Sequence, residues 1–424
     1  MKASLLASVA ALLFLHSAHA ADTILELTVE AGKIDRRQSP VCILLLLSAD
    51  VVKSVVLKTA DGKEIPGQIT ETGLANRDER DLIKGCELHF ILPNLKAGDT
   101  LKLTATVALG KPGKGTGFNW KDTKGEHLDL ILDDRPVLRY MYHPLDESNK
   151  DRREATFKVF HHLYDPAGKR LATNGGPTGI YPHHRGIFFG YNRITYGDGK
   201  KADTWHCTDD AAQTHEKMLA TEAGPVLGRH RVLIAWHGVG KEVFATEERE
   251  LTVYNVPGGQ LVELTSLLKS AKGTVKLDGD PQHAGFHFRA DDEVAQHDAK
   301  VQKKEAEPDT VFIRPDGVGK PGDTRNWDPK TKQGPIDLPW NAMSFVLGGQ
   351  RYTVAYLDKP TNPKEARFSE RAYGRIGSYF EYELTEKKPL KVNYRLWLQE
   401  KEIAVEGAKA LDEDFVNPVK VSVK

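Results

Sequence analysis

Three cysteines in 424 residues are too few for a disulfide framework. In an oxidising compartment Cys42 and Cys86 can pair within the first hundred residues, which leaves Cys207 as a lone thiol, expected to be buried and inert. Net charge is lacking too. Lys and Arg number 59 and Asp and Glu number 59, so the chain has no electrostatic footprint of a nucleic-acid or anionic-membrane binder. Beyond the first twenty residues the next apolar run, Val41 to Leu47, falls far short of the roughly 18 residues of a membrane helix. A His-x-x-x-His metal-protease pattern, a Gly-x-Ser-x-Gly elbow and a phosphate loop are all missing. So are repeats, low-complexity tracts and long helical periodicity; only residues 210–220 (DAAQTHEKMLA) and 363–373 resemble short helices. These absences leave a small molecule or a glycan as the expected partner, with no nucleic acid and no membrane span.

What is present begins with a leader. Lys2 precedes an apolar run from Leu5 to Leu15 and then Ala18-His19-Ala20, a signal-peptide pattern cut after Ala20. The mature chain is therefore expected in a periplasm or outside the cell. About 400 residues suit two or three domains. Residues 41–47, 51–57, 86–92 and 101–108 are strand-length segments rich in Val, Leu and Ile, separated by turn formers. They predict an immunoglobulin-like β-sandwich over residues 21–109. Residues 110–117, GKPGKGTG, read as a linker. Further strands follow, including a hairpin signal from Ser344 through Gly348-Gly349 to Leu357. A single large antiparallel β-sandwich over residues 118–424 is the simplest architecture, giving an all-β protein.

The chemistry lies in the histidines. Eleven of them fall between His161 and His297, and imidazole is the side chain best suited to proton transfer near neutral pH and to metal ligation. Residues 283–289, HAGFHFR, alternate: His283, Gly285, His287 and Arg289 share one strand face, while Phe286 and Phe288 point to the core. That leaves an open polar strip, with Gly285 making room for something to lie across it. At about 3.3 Å per residue His283 and His287 sit roughly 13 Å apart, too far to share an ion. In PHHRG, residues 182–186, proline and glycine hold His183, His184 and Arg185 in a turn, with the strand starting near Ile187. In DTWHC, residues 203–207, Trp205 offers a face for a sugar ring beside His206. Asp278, Asp280, Asp291 and Asp292 flank the HAGFHFR strand and read as solvated loop carboxylates.

Arg139-Tyr140-Met141-Tyr142-His143-Pro144, PHHRG, DTWHC, HAGFHFR and the block from Pro339-Trp340 through Arg371-Ala372-Tyr373-Gly374 to Tyr394-Arg395-Leu396 together resemble an exported bacterial family of unknown function labelled "methane oxygenase PmoA". The resemblance covers roughly residues 118–405. It implies a large β-sandwich similar to that of aldose mutarotases, whose clefts use histidines, arginine and a carboxylate. The family pattern has Asp-His-Pro before the paired histidines where this chain has Ile180-Tyr181-Pro182, so a carboxylate and an imidazole are missing from that loop. Neither motif then carries a complete ligand set of its own, and no metal or other cofactor is assigned.

The residues suit three readings. The first is a carbohydrate-active enzyme of epimerase, lyase or hydrolase type, with His183, His184, His206 and His283 as acid/base groups. Arg185, Trp205, His287, Arg289 and Arg371 then hold a sugar or oxidised sugar. The second is a glycan-binding protein without turnover. The third is a metal site, of the oxygenase kind the family label suggests, assembled from His183 or His184, His206, Cys207 and one residue of the 283–287 strand.

Overall fold

A computed structural model describes residues 22–77, 85–110, 117–176 and 179–424. The leader, and all of the linker except Gly110 and Gly117, lie outside these residues. The protein is all-β, built from antiparallel sheets.

The first sheet has seven strands in the order Ser39–Leu45, Cys86–Leu92, Glu64–Glu71, Val52–Thr59, Thr100–Leu109, Thr23–Glu30, Lys420–Val423. Alternation drives it. In Thr23–Glu30, Leu25, Leu27 and Val29 are buried while the residues between them stay partly or fully exposed, and the buried set joins Leu57, Leu88, Phe90 and Ala105 in one core. Its last strand comes from the far end of the chain, with Leu27 opposite Val423. Cys42 and Cys86 are both free. They lie on neighbouring strands, but Cys42 faces His89 and Cys86 faces Leu45.

The remaining residues form an eight-stranded sheet packed on a nine-stranded one, with a four-stranded sheet beside them. The eight strands run Arg367–Arg371, Arg375–Tyr379, Ala284–Arg289, Ile187–Tyr191, Phe160–Leu163, Arg135–Met141, His127–Leu132, Phe118–Thr123. Phe286 stacks on Tyr394 at 4.5 Å and Phe288 meets Phe345 at 6.0 Å, both partners belonging to the nine-stranded sheet. The phenylalanine face of Ala284–Arg289 is therefore the core between the sheets, and His287 and Arg289 point away from it. The expected hairpin is present, with Leu347 opposite Gln350 and positive φ at both Gly348 and Gly349, as a type I′ turn requires.

Neither segment expected to be helical is so. Ala212–Ala223 is the edge strand of the nine-stranded sheet and pairs with Leu227–His237 along its length; the ladder outweighs the helical leaning of its Ala, Glu and Lys residues. Residues 363–373 contain the strand Arg367–Arg371, whose Phe368 is fully buried. Among the described residues the α-helices are instead Lys150–Thr156, Asp292–Gln302 and Val405–Val416.

Gly285 does not leave space for a ligand. It has φ +86°, and a Cβ there would lie 2.0 Å from the Ser378 carbonyl oxygen of the next strand. The room is taken by a close backbone approach that only glycine permits.

Candidate metal centre

Residues 181–184 form a tight turn in which the His184 N–H donates to the Tyr181 carbonyl at 2.9 Å. Arg185 holds it. Its guanidinium is 1 % exposed and donates only to carbonyl oxygens, those of Pro182, His184, Gly176 and Glu154. The arginine expected to touch substrate is thus the strut of the turn. The strand starts at Ile187. Gly186 ends the turn where a Cβ would meet the His161 carbonyl at 2.5 Å.

Two further turns share one device. In Asp203-Thr204-Trp205-His206, the aspartate accepts from the Trp205 N–H at 2.9 Å and the His206 N–H at 2.8 Å, and its other oxygen meets His206 Nδ1 at 2.8 Å. In Asp280-Pro281-Gln282-His283, the aspartate accepts from the Gln282 N–H at 2.9 Å and meets His283 Nδ1 at 2.9 Å. Asn192 Nδ2 donates to its second oxygen at 2.7 Å. Burial opposes charge on Asp280, but the hydrogen bond and charge of His283 outweigh it and hold the carboxyl below the usual range. Asp280 is therefore a positioning group for an imidazole and not a solvated loop carboxylate. Of the other flanking aspartates, Asp291 caps the helix Asp292–Gln302 and Asp292 accepts from the Ile180 N–H; Asp278 pairs with Arg193 at the surface.

These three turns converge. One nitrogen from each of His183, His206 and His283 lies within 4.8 Å of the other two, and the ring centroids are 4.7 Å (183 to 206), 4.8 Å (206 to 283) and 6.2 Å (183 to 283) apart. Because carboxylates engage Nδ1 of His206 and His283, Nε2 is the atom each has to offer. Nε2 of His183 is buried and has no hydrogen-bond partner. Burial, with Lys158 and Arg289 nearby, pulls the His183 pKa down to about 2, so its ring is neutral with a free lone pair. Imidazoles whose far nitrogens meet carboxylates are the ligand arrangement of protein zinc sites. An ion with Zn–N bonds of about 2.0–2.1 Å needs only a short inward movement of the rings.

The other expected residues surround this cluster without joining it. His184 is buried and its Nδ1 accepts from Arg289 Nη1 at 3.1 Å; burial and that guanidinium keep it far below the ordinary histidine range. His287 is buried and stacks on Trp205, 4.2 Å between centroids. Trp205 is 1 % exposed, so it offers no face to a sugar. It roofs the strip that was expected to lie open, an apolar lid over a polar face. Arg289, also 1 % exposed, lies beneath His184 and Tyr373. Arg371 is half-buried near Arg375, its register partner. The Cys207 thiol points at the Phe157 and Thr204 carbonyls and is no ligand.

Residues to which the sequence reading gave no role at the site are Asp203, Asp280, Tyr373, Arg375 and Lys158. Lys158 is buried and donates to the Trp205 carbonyl; burial pulls its pKa to about 8. On the rim, the half-buried Tyr181 lies 5.1 Å from the ring of Tyr373. A cleft of about 1040 Å³ reaches Asp203 and Asn192 from the far side.

No curated protein sequence matches the chain. Similar solved structures include an alpha-mannosidase from Enterococcus faecalis V583, 7 % identical over 95 % of this chain and 46 % of the other, TM-score 0.45. Another is a protein in the Glycosyl Hydrolase Family 38 from Enterococcus faecalis, 8 % identical over 95 % and 47 %, TM-score 0.43. The chain thus spans about half the length of these structures. Residues 127–412, which contain all three histidines of the cluster and their supporting aspartates, match the family of unknown function DUF6807, and the chain belongs to that family.

Proposed function

We propose that the chain is an exported carbohydrate-active enzyme that works with a divalent metal ion held by His183, His206 and His283. The observation that carries the reading is the convergence of three imidazole nitrogens within 4.8 Å, two of the rings anchored by aspartates. Three protein ligands leave an open position, the hallmark of a catalytic rather than a structural ion. Such an ion polarises a sugar carbonyl or hydroxyl, or lowers the pKa of a bound water toward neutrality. A sugar ring suits the rim, where Tyr181 and Tyr373 stand side by side, and zero net charge suits a partner that is not a polyanion. The leader read from Lys2 to Ala20 supports export.

A panel of neutral and oxidised sugars, incubated with the mature protein before and after chelation and analysed for products, tests this. Turnover that stops on chelation and returns with zinc or manganese is expected. Turnover indifferent to chelation would remove the ion from the chemistry. Binding without product in the metal-loaded protein would move the chain to the glycan-binding reading.

A further inference from the structure

Nine arginines are buried among the described residues. Six of them meet a carboxylate: Arg36 with Asp414, Arg229 with Glu87, Arg231 with Glu250, Arg249 with Glu247, Arg314 with Glu370 and Arg395 with Glu263. That is the rule for a desolvated guanidinium, since an unpaired buried charge is costly. The other three, Arg185, Arg289 and Arg375, all lie around the three-histidine centre. Arg185 donates to four carbonyls, which leaves its Nε alone without a partner. Arg289 is the least satisfied of the three, and Arg375 is its neighbour.

These two face each other in register on adjacent strands. Arg289 gives one N–H to His184, and its Nε and Nη2 have no partner. Arg375 donates to Ser369 Oγ and the Pro281 carbonyl, and its Nε has none. Both ring nitrogens of His287, stacked between Trp205 and Phe188, are also unpartnered. Lys158 adds a further cation, hydrogen-bonded to a carbonyl and lying over the Phe188 ring without a carboxylate. The two nearby aspartates are already engaged by His206 and His283. Burial and the neighbouring Arg289 bring the Arg375 pKa down to about 9, and the charges of Arg289 and Arg375 overcome burial to pull the Tyr373 phenol below its ordinary value. Every sign of this surplus is positive, and a divalent ion on the histidines enlarges it.

We propose that the buried ground beneath the Tyr181 and Tyr373 rings is an oxyanion site in which Arg289, supported by Arg375 and Tyr373, receives the carboxylate of a sugar acid. The proposal rests on the carbohydrate reading above and names its substrate class. A planar carboxylate matches the fork of a guanidinium. His184, between Arg289 and His183, places that carboxylate next to the ion, so one sugar acid can engage both.

Titration calorimetry of the full-length mature protein, with and without zinc, tests the proposal using glucuronate, galacturonate, their neutral hexoses, inorganic phosphate and sulfate. A uronate should bind at least about tenfold more tightly than its hexose. Arg289→Gln should abolish that preference while the zinc stoichiometry is unchanged. Arg371→Gln, at a half-buried position whose charge reaches Arg289, Tyr373 and Arg375, should weaken uronate binding and leave the hexose unaffected. Equal affinity for uronate and hexose, or a preference that survives Arg289→Gln, would overturn the proposal, and so would tighter binding of phosphate or sulfate than of any uronate. Failure of the metal reading looks different: the wild type would bind no zinc, yet a uronate preference lost in Arg289→Gln would still establish the oxyanion site.

Discussion

His206→Ala and His283→Ala are each expected to strip the protein of its metal ion and of metal-dependent turnover while leaving it folded. Each ring is one of three ligands, and both are only partly buried (side-chain exposures 29 % and 27 %), so losing either should cost stability no more than about 1 kcal/mol. Asp203→Asn and Asp280→Asn should give a graded version. The amide oxygen still accepts the backbone N–H groups that shape each turn, but an amide no longer provides the charged acceptor that fixes the imidazole tautomer and raises its basicity. Zinc affinity should fall by roughly 10–100-fold for each aspartate variant, and further for each histidine variant. Competition titration against a chromophoric chelator measures both. Equal affinity in wild type and Asp203→Asn would show that the carboxylates do not support the ligands, and equal affinity in wild type and His206→Ala would reduce the three rings to ordinary polar packing.

Phe288→Ala should do the reverse, losing roughly 3–5 kcal/mol of stability with metal stoichiometry intact in the folded fraction. The ring is fully buried between the two large sheets against Phe345, and neighbours on a paired strand cannot collapse into the space it leaves. Denaturant unfolding would register this as a fall in midpoint at constant slope. Together Phe288→Ala and His283→Ala separate neighbouring parts of the chain: the inner face of the strand Ala284–Arg289 is core, and the turn just before it carries the imidazole.

How far the sequence revealed this strand depends on which property is asked for. Period-two alternation placed Phe286 and Phe288 correctly because burial of apolar rings is a local, strong signal. The fate of the opposite face was not local. Trp205 covers His287 from a turn about eighty residues earlier, so a strip that reads as open is closed by a side chain the strand does not contain. Arg289 was expected on an open face for the same reason.

The metal ligands show the same division. The extended-strand estimate of roughly 13 Å counted His283 as part of the strand, whereas it closes the turn before Ala284; its neighbours are His183 and His206, which only the fold brings near. A signal was nevertheless present: Asp203-x-x-His206 and Asp280-x-x-His283 repeat one spacing, and that spacing lets an aspartate that caps its own turn reach the imidazole three residues on. The helix at Asp292–Gln302 carried a cap at Asp291 that was read only as a loop acid.

If three histidines from three separate turns bind one metal ion, an anomalous-difference map from crystals grown with zinc should show a single strong peak between His183, His206 and His283, at about 2.0–2.1 Å from a nitrogen of each ring. A map without density there, or with zinc bound only at surface carboxylates, would contradict that binding.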